Sequence, residues 1–422
     1  MDELKQLLKS YIEAAHPLLV QQYNDRPSFR PEAIITHGEN GSISTRFEAR
    51  PDYAEILFGL RETLPQLSEL NALLEYVKTN NTLANDLLVD AAGVRLPTDD
   101  TGPFFSFTVW PFLASYLQDL TSLSQLIDEA VFESIFADLK TYLESTQIAL
   151  IYEAPIIGLK ADFDRLDFSD DVWIRLRTDE DIKRVSKPYI TFDLIQNEVS
   201  FNAYFLVVRT YVDKHSPMGT EAAGKIAENV MSAFRLCKSG QISLGSSRQY
   251  SQLRVGERLG VLQSPASGLR SGDYTLESEE VDTVKALMSS CSTNEDTRWQ
   301  LALRRLNLTY DRKLNEDRLI DCWIGLETLL LPDGNEGELR YKVSLRLSRF
   351  LGETKNKRLS LKKETKTSYD RRSDIVHGKT PLKEDVPQVT DKTAELLRKV
   401  LVQWLDSEHS HTVEDIDNSL LA

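Results

Sequence analysis

The run NEDRLIDCWIGLETLLL (315–331), which stops at Pro332, is apolar on two sides at once. Leu319, Ile320, Trp323, Ile324 and Leu330 recur at helical spacing and make one stripe, while Cys322, Leu326 and Leu329 make another. A helix apolar on both sides belongs inside a protein. Asn315 has the side chain to cap it. Glu327 is the sole charge between Cys322 and Pro332. A buried carboxylate needs a charged or hydrogen-bonding partner, and the chain downstream offers Arg346, Arg349 and Arg372. Two roles are open to Glu327: a structural ion pair, or a carboxylate that orients a working arginine.

Four further helical segments surround this one. They cover about 297–314, from near Asn335 to Gly352, 355–377 ending at Gly378, and 390–406. Glu338 stands three residues after Asn335 in a capping-box arrangement, and Gly352 is placed as a terminating glycine. Short connections make neighbours antiparallel, so the expected architecture is a helical bundle. Its fourth helix, KNKRLSLKKETKTSYDRR, is strongly basic. Residues 338–399 carry seventeen Lys/Arg against nine Asp/Glu, a local +8 in a chain whose net charge is −15. A charge run is usually a solvated face. This one leads straight into YDRRSDIVHG (369–378), where Arg372 and His377 have four residues between them. A positive field beside a histidine, the side chain that titrates near neutral pH, suits a phosphodiester. Positions five apart on a regular helix lie ~140° apart around its axis. Either the helix loosens before Gly378, or the two side chains face different parts of a cleft that a two-fold dimer would complete. A looser pattern, Arg and His with four to six residues between them, also matches at Arg30/His37, in a loop with Pro31, and at Arg209/His215, where Arg209 lies in an expected strand. Both are read as chance.

The rest of the 422 residues divides by texture. Helices are expected at 1–24, 52–64, 66–90 and 112–148, with a loop at 26–45 and a short strand at ISTRFEAR (43–50). Within VFESIFADLKTYL, Phe132, Ile135, Phe136, Leu139 and Leu143 form a core stripe. GPFFSFTVWPFLASYLQ (102–118) is short and holds two prolines, so it reads as buried core, not a membrane span. From about 150 the runs IALIYEAPIIGL, DVWIRLRT, YITFDLI and VSFNAYFLVVRTYV read as strands, and 219–237 reads as a helix. The fold class is therefore α+β and multidomain: a mainly helical region 1–150, a mixed or β-rich domain 151–275, and an all-helical bundle 276–422. Cys237, Cys291 and Cys322 are scattered and odd in number, which supports neither a disulfide framework nor a cysteine zinc site. His409 and His411 read as part of a polar tail. The amphipathic start lacks the pattern of a signal peptide, and a cytoplasmic protein without metal or cofactor is expected.

Three segments in order, NEDRLIDCWIGLETLLL, EGELRYKVSLRLSRFLG and YDRRSDIVHGK, resemble the Apea-like HEPN domain over residues 297–405, about a quarter of the chain. IIGLKADFDRLDFSDDVWIRLRTDED (156–181) is similar to sequence that often precedes that domain. The resemblance implies a dimerising helical bundle. It implies a metal-independent endoribonuclease in toxin or antiphage defence, whose arginine-polar-x(3)-histidine motif cuts RNA through the ribose 2′-OH. Arg372 would then stabilise the pentacoordinate phosphate, Ser373 would be the polar residue, and His377 the general acid or base. Glu327 and Arg346 would match supporting positions in the second and third helices. Lys362, Lys363, Lys366 and Arg371 would bind RNA, a tRNA or other structured RNA included. Asp374 departs from relatives, which often have a neutral or basic residue there; it would weaken RNA binding or orient Arg371. A trigger or antitoxin partner would control activity. The alternative is a non-catalytic HEPN module that binds RNA, a nucleotide or a protein.

Overall fold

A computed structural model describes residues 1–37, 43–90, 94–120, 122–123, 126–185, 204–214, 221–253, 262–264, 273–331, 338–378, 385–405 and 415–418. The architecture is mixed α+β, with a sheet in the middle of the chain and helices on either side of it in sequence.

Apolar periodicity builds the N-terminal core. Helices Asp2–Asp25, Tyr53–Gly59, Ser68–Thr79, Asn81–Leu87, Trp110–Asp119 and Glu129–Glu144 bury one face each. Phe132 and Ile135 are fully buried, and Phe136 and Leu139 nearly so. Phe104, Phe105, Val109, Phe112, Leu113 and Tyr116 fill the same core. The span expected as one helix over 66–90 is two. The break falls at Asn80, whose side chain accepts from the Leu83 N–H at 3.2 Å and caps the second. The expected loop over 26–45 is also wrong in part. Phe29–His37 is a strand, paired antiparallel with Ile43–Pro51 from Phe29↔Pro51 to His37↔Ile43. Pro31 fits because a two-stranded ribbon is all edge. Arg30 and His37 thus lie on a strand, and His37 Nε2 bonds Asp179 at 2.9 Å.

Among the described residues the main sheet has seven strands, all of whose pairings are antiparallel. Gln147–Ile157 is central, flanked by Tyr204–Asp213 (Ile151↔Arg209) and by Ser247–Ser251 (Ile151↔Tyr250). Ile148 and Leu150 of that strand belong to the N-terminal core, while Ile156 belongs to a second core. That second core is continuous from the sheet, through helix Glu221–Cys237, into the C-terminal helices. The expected strand YITFDLI (189–195), His215 and the HSH of 409–411 lie outside the described residues. No helix among the described residues is long and apolar enough to cross a membrane.

Five helices form the C-terminal bundle: Thr297–Asp311, Asn315–Leu330, Leu339–Leu351, Lys355–Val376 and Val386–Leu405. Three boundaries differ in kind from expectation. The third helix begins after Glu338, whose backbone is left-handed (φ 51°) and whose side chain makes no capping bond, and Asn335 lies outside the described residues. Asn315 is the first helical residue; its side chain accepts from Arg318 at 2.8 Å instead of capping. Gly352 is not left-handed (φ −101°). Glycine is needed there because a Cβ would run into the Ser348 carbonyl and the Arg358 side chain. Trp299 and Trp323 are fully buried. The Trp299 indole N–H donates to the Leu401 carbonyl at 3.1 Å. The Trp323 indole N–H donates to Ser368 Oγ at 3.0 Å; Ser368 and Thr393 share a 2.6 Å bond; and Thr393 Oγ1 donates to the Val389 carbonyl at 2.7 Å. With Thr393's proton spent on Val389, Ser368 must donate to Thr393. One directed chain therefore ties three helices together.

Ser368→Ala should strand the Trp323 N–H in the core and lower unfolding stability by about 1–3 kcal/mol. Chemical denaturation followed by tryptophan fluorescence would measure this; a loss indistinguishable from zero would mean the chain of hydroxyls is not holding the bundle.

Candidate active site

The hydroxyl chain fixes the rotation of the basic helix, Lys355–Val376. With Ser368 turned inward, Arg372 lies one turn on and only ~40° around the axis, whereas His377 lies nine residues on and ~180° away. The buried positions Leu361, Thr365 and Ser368 mark the inward stripe. Arg372 extends it, and His377 emerges exposed at the helix's last turn.

Of the three arginines offered to Glu327, Arg372 is the one whose guanidinium reaches it. Arg372 Nη2 stands 3.5 Å from Glu327 Oε2, and both side chains are about a quarter exposed (24% and 23%). That is a long contact. The guanidinium also lies over the Tyr369 ring at 5.6 Å, and Tyr369 meets Trp323 edge-on at 4.9 Å. Arg372 Nε has no acceptor among the described residues. Guanidinium carries five N–H donors, so this one is held in place with donors to spare. Burial pushes the Glu327 carboxyl up from its ordinary range, and Arg372 pulls it partly back.

The helix does not loosen before the histidine. The His377 N–H still donates to the Ser373 carbonyl at 3.0 Å, an α-helical bond, and Gly378 (φ +70°) then ends the helix. Within one chain, Arg372 and His377 thus present to different sides.

The supporting residues separate. Arg346 is buried and turned elsewhere: it donates to the Leu330 carbonyl at 2.8 Å and is bidentate to Asp417 at 2.9 and 2.7 Å. Arg371 lies 3.3 Å from Asp385 and 3.9 Å from Asp374, so Asp374 faces the neighbouring arginine. Lys362 and Lys366 stand over the Tyr341 ring at 4.9 and 5.7 Å. Lys363 points the other way, into a groove against Val386–Leu405 that it shares with Lys392. Ser373 is half-buried. Sequence reasoning did not find Asp417, Ser368, Thr393 or Tyr369. Helical spacing could have placed Ser368 and Arg372 on one stripe, but nothing local links Arg346 to a residue 71 positions away.

Glu327's raised value sets a pH dependence. Its folded-state affinity for a proton exceeds that of the unfolded chain, so the stability associated with protonation is full at low pH and is lost as pH rises through the folded value. Arg372→Gln removes the opposing influence and should steepen that loss. Between pH 5 and pH 8 the variant should lose about 1 kcal/mol more than the wild type, reduced from the fully buried case by partial exposure. Adding Glu327→Gln should flatten the difference. Parallel urea-unfolding curves for wild type and Arg372→Gln across that range would refute the coupling.

No family model, curated protein or solved structure matches the chain.

Proposed function

We propose that this protein is a metal-independent endoribonuclease of HEPN type, serving in toxin or antiphage defence. The observation that carries the reading is the quarter-exposed Arg372, held loosely between Glu327 and the Tyr369 ring and left with unused donors. A cation so arranged suits an anion whose charge grows during reaction. The ribose 2′-oxygen attacks the adjacent phosphorus as its proton passes to a base. The P–O5′ bond breaks, and a proton reaches the departing 5′-oxygen. The products are a 2′,3′-cyclic phosphate and a 5′-hydroxyl. His377 supplies one of these proton transfers, and Arg372 faces the pentacoordinate phosphate.

Because the two residues leave opposite sides of a regular helix, the working site takes Arg372 from one copy and His377 from another. This makes a homodimer through the bundle part of the proposal. Structured RNA is the substrate class, and a trigger or antitoxin protein sets when cutting occurs. The same divergence favours a second reading, a non-catalytic module that binds RNA, a nucleotide or a protein.

Purified protein in EDTA should cut cellular RNA to cyclic-phosphate ends, and His377→Ala should lower the rate at least about a hundredfold. Mixing His377→Ala with Arg372→Ala should restore cutting, since a mixed dimer holds one intact pair. No cutting by the wild type would move the protein to the binding-module reading, and cutting without rescue in the mixture would eliminate the shared site.

A further inference from the structure

Tyr341 is a large aromatic with no core to fill. It sits in the first turn of helix Leu339–Leu351, 45% exposed, while Val343, Arg346, Leu347 and Phe350 take the buried positions. Two ammonium groups, Lys362 and Lys366, share its ring at 4.9 and 5.7 Å. Those lysines are four residues apart on one helix, where like charges repel. A bound anion would relieve that repulsion. The nearby acid is already engaged: Asp370 pairs with Arg340 at 3.0 Å.

The direction of this patch matters. Measured around the basic helix, Lys362, Ser373, Lys366 and His377 fall within a ~60° sector opposite Ser368. Lys366 and His377 are ~16 Å apart along the axis, a span of a few nucleotides. The strip therefore runs from the aromatic ring to the exposed histidine along one face, and Arg372 lies off it.

We infer that Tyr341 is a stacking platform for an unpaired RNA base, with Lys362 and Lys366 binding the flanking phosphates of the strand that leads to His377. The inference rests on the ribonuclease reading and adds a positioning residue to it. Stacking needs a base whose face is free, so the platform selects single-stranded segments over continuous duplex. The lysines have long, rotatable stems and swing from the ring to the phosphates as the base arrives.

The test uses the full chain carrying His377→Ala, so that RNA survives, and a short unstructured fluorescent oligoribonucleotide read by anisotropy. Adding Tyr341→Leu should weaken binding roughly tenfold to a hundredfold, the range expected for one stacked base. Tyr341→Phe should bind nearly as the parent does, and a blunt RNA duplex should not distinguish the three. Lys362→Ala should reduce the salt dependence of binding by about one phosphate contact. Because Tyr341 is half exposed, matching thermal unfolding of the variants will separate binding from folding. Equal affinity for Tyr341→Leu and Tyr341→Phe would overturn the platform while leaving the ribonuclease reading intact, provided the wild type still cuts. A parent that binds no RNA, with a wild type that cuts none, would end both.

Discussion

The chain of hydrogen bonds from the Trp323 indole through Ser368 and Thr393 to the Val389 carbonyl is the constraint on which the candidate site depends. The basic helix has little apolar surface with which to fix its own rotation: Leu361 is its one buried apolar side chain, beside Thr365 and Ser368. Hydrophobic burial is non-directional and would tolerate a roll of such a helix. A directed hydroxyl chain does not, because a roll of even one position leaves a buried donor unmatched. Specificity here comes from hydrogen-bond direction more than from buried area.

Once that rotation is set, the rest of the helix has no freedom. Tyr369 must meet Trp323, and Arg372 must approach Glu327. Lys362 and Lys366 must face Tyr341. His377 must point outward, and Gly378 ends the helix directly after it with a positive φ that costs glycine little. The two sides of one helix thereby acquire different tasks. The inner side holds a cation loosely, at the edge of the core, where its charge is less screened. The outer side offers a titratable ring and mobile cations to solvent.

How much of this was legible depended on whether the signal was local. The buried helix 315–330 was, because its double stripe is a property of consecutive residues, and Glu327 was conspicuous as a lone charge within it. Which arginine would meet Glu327 was not, because that choice depends on the rotation of a helix whose own sequence is nearly all polar. Arg346 looked equivalent until Asp417, near the other end of the region, took it. Strand Phe29–His37 was hidden by Pro31 and by the Gly/Asn-rich sequence after it; a two-stranded ribbon tolerates what a central strand would not. Gly352 was identified as important for the wrong reason: close approach of the Ser348 carbonyl, and not left-handed backbone, excludes a side chain. The continuity of the second core was also invisible, since the apolar face of Glu221–Cys237 carries no mark of whether it meets a sheet, a bundle or both.

The charge distribution gives the architecture a direction. A chain of net charge −15 repels a polyanion at long range. Eight lysines and arginines against three acids on helix Lys355–Val376 reverse that sign on one element. Two of the three acids are already engaged, Asp370 by Arg340 and Asp374 by Arg371. Screening confines the attraction to about 8–10 Å at physiological salt. A nucleic acid approaching this protein would therefore meet a net repulsion at long range and a local attraction near the basic helix. Fixing that helix's rotation with buried hydroxyls then does more than stabilise a bundle: it decides which residues stand inside this basic zone, and the exposed His377 is among them.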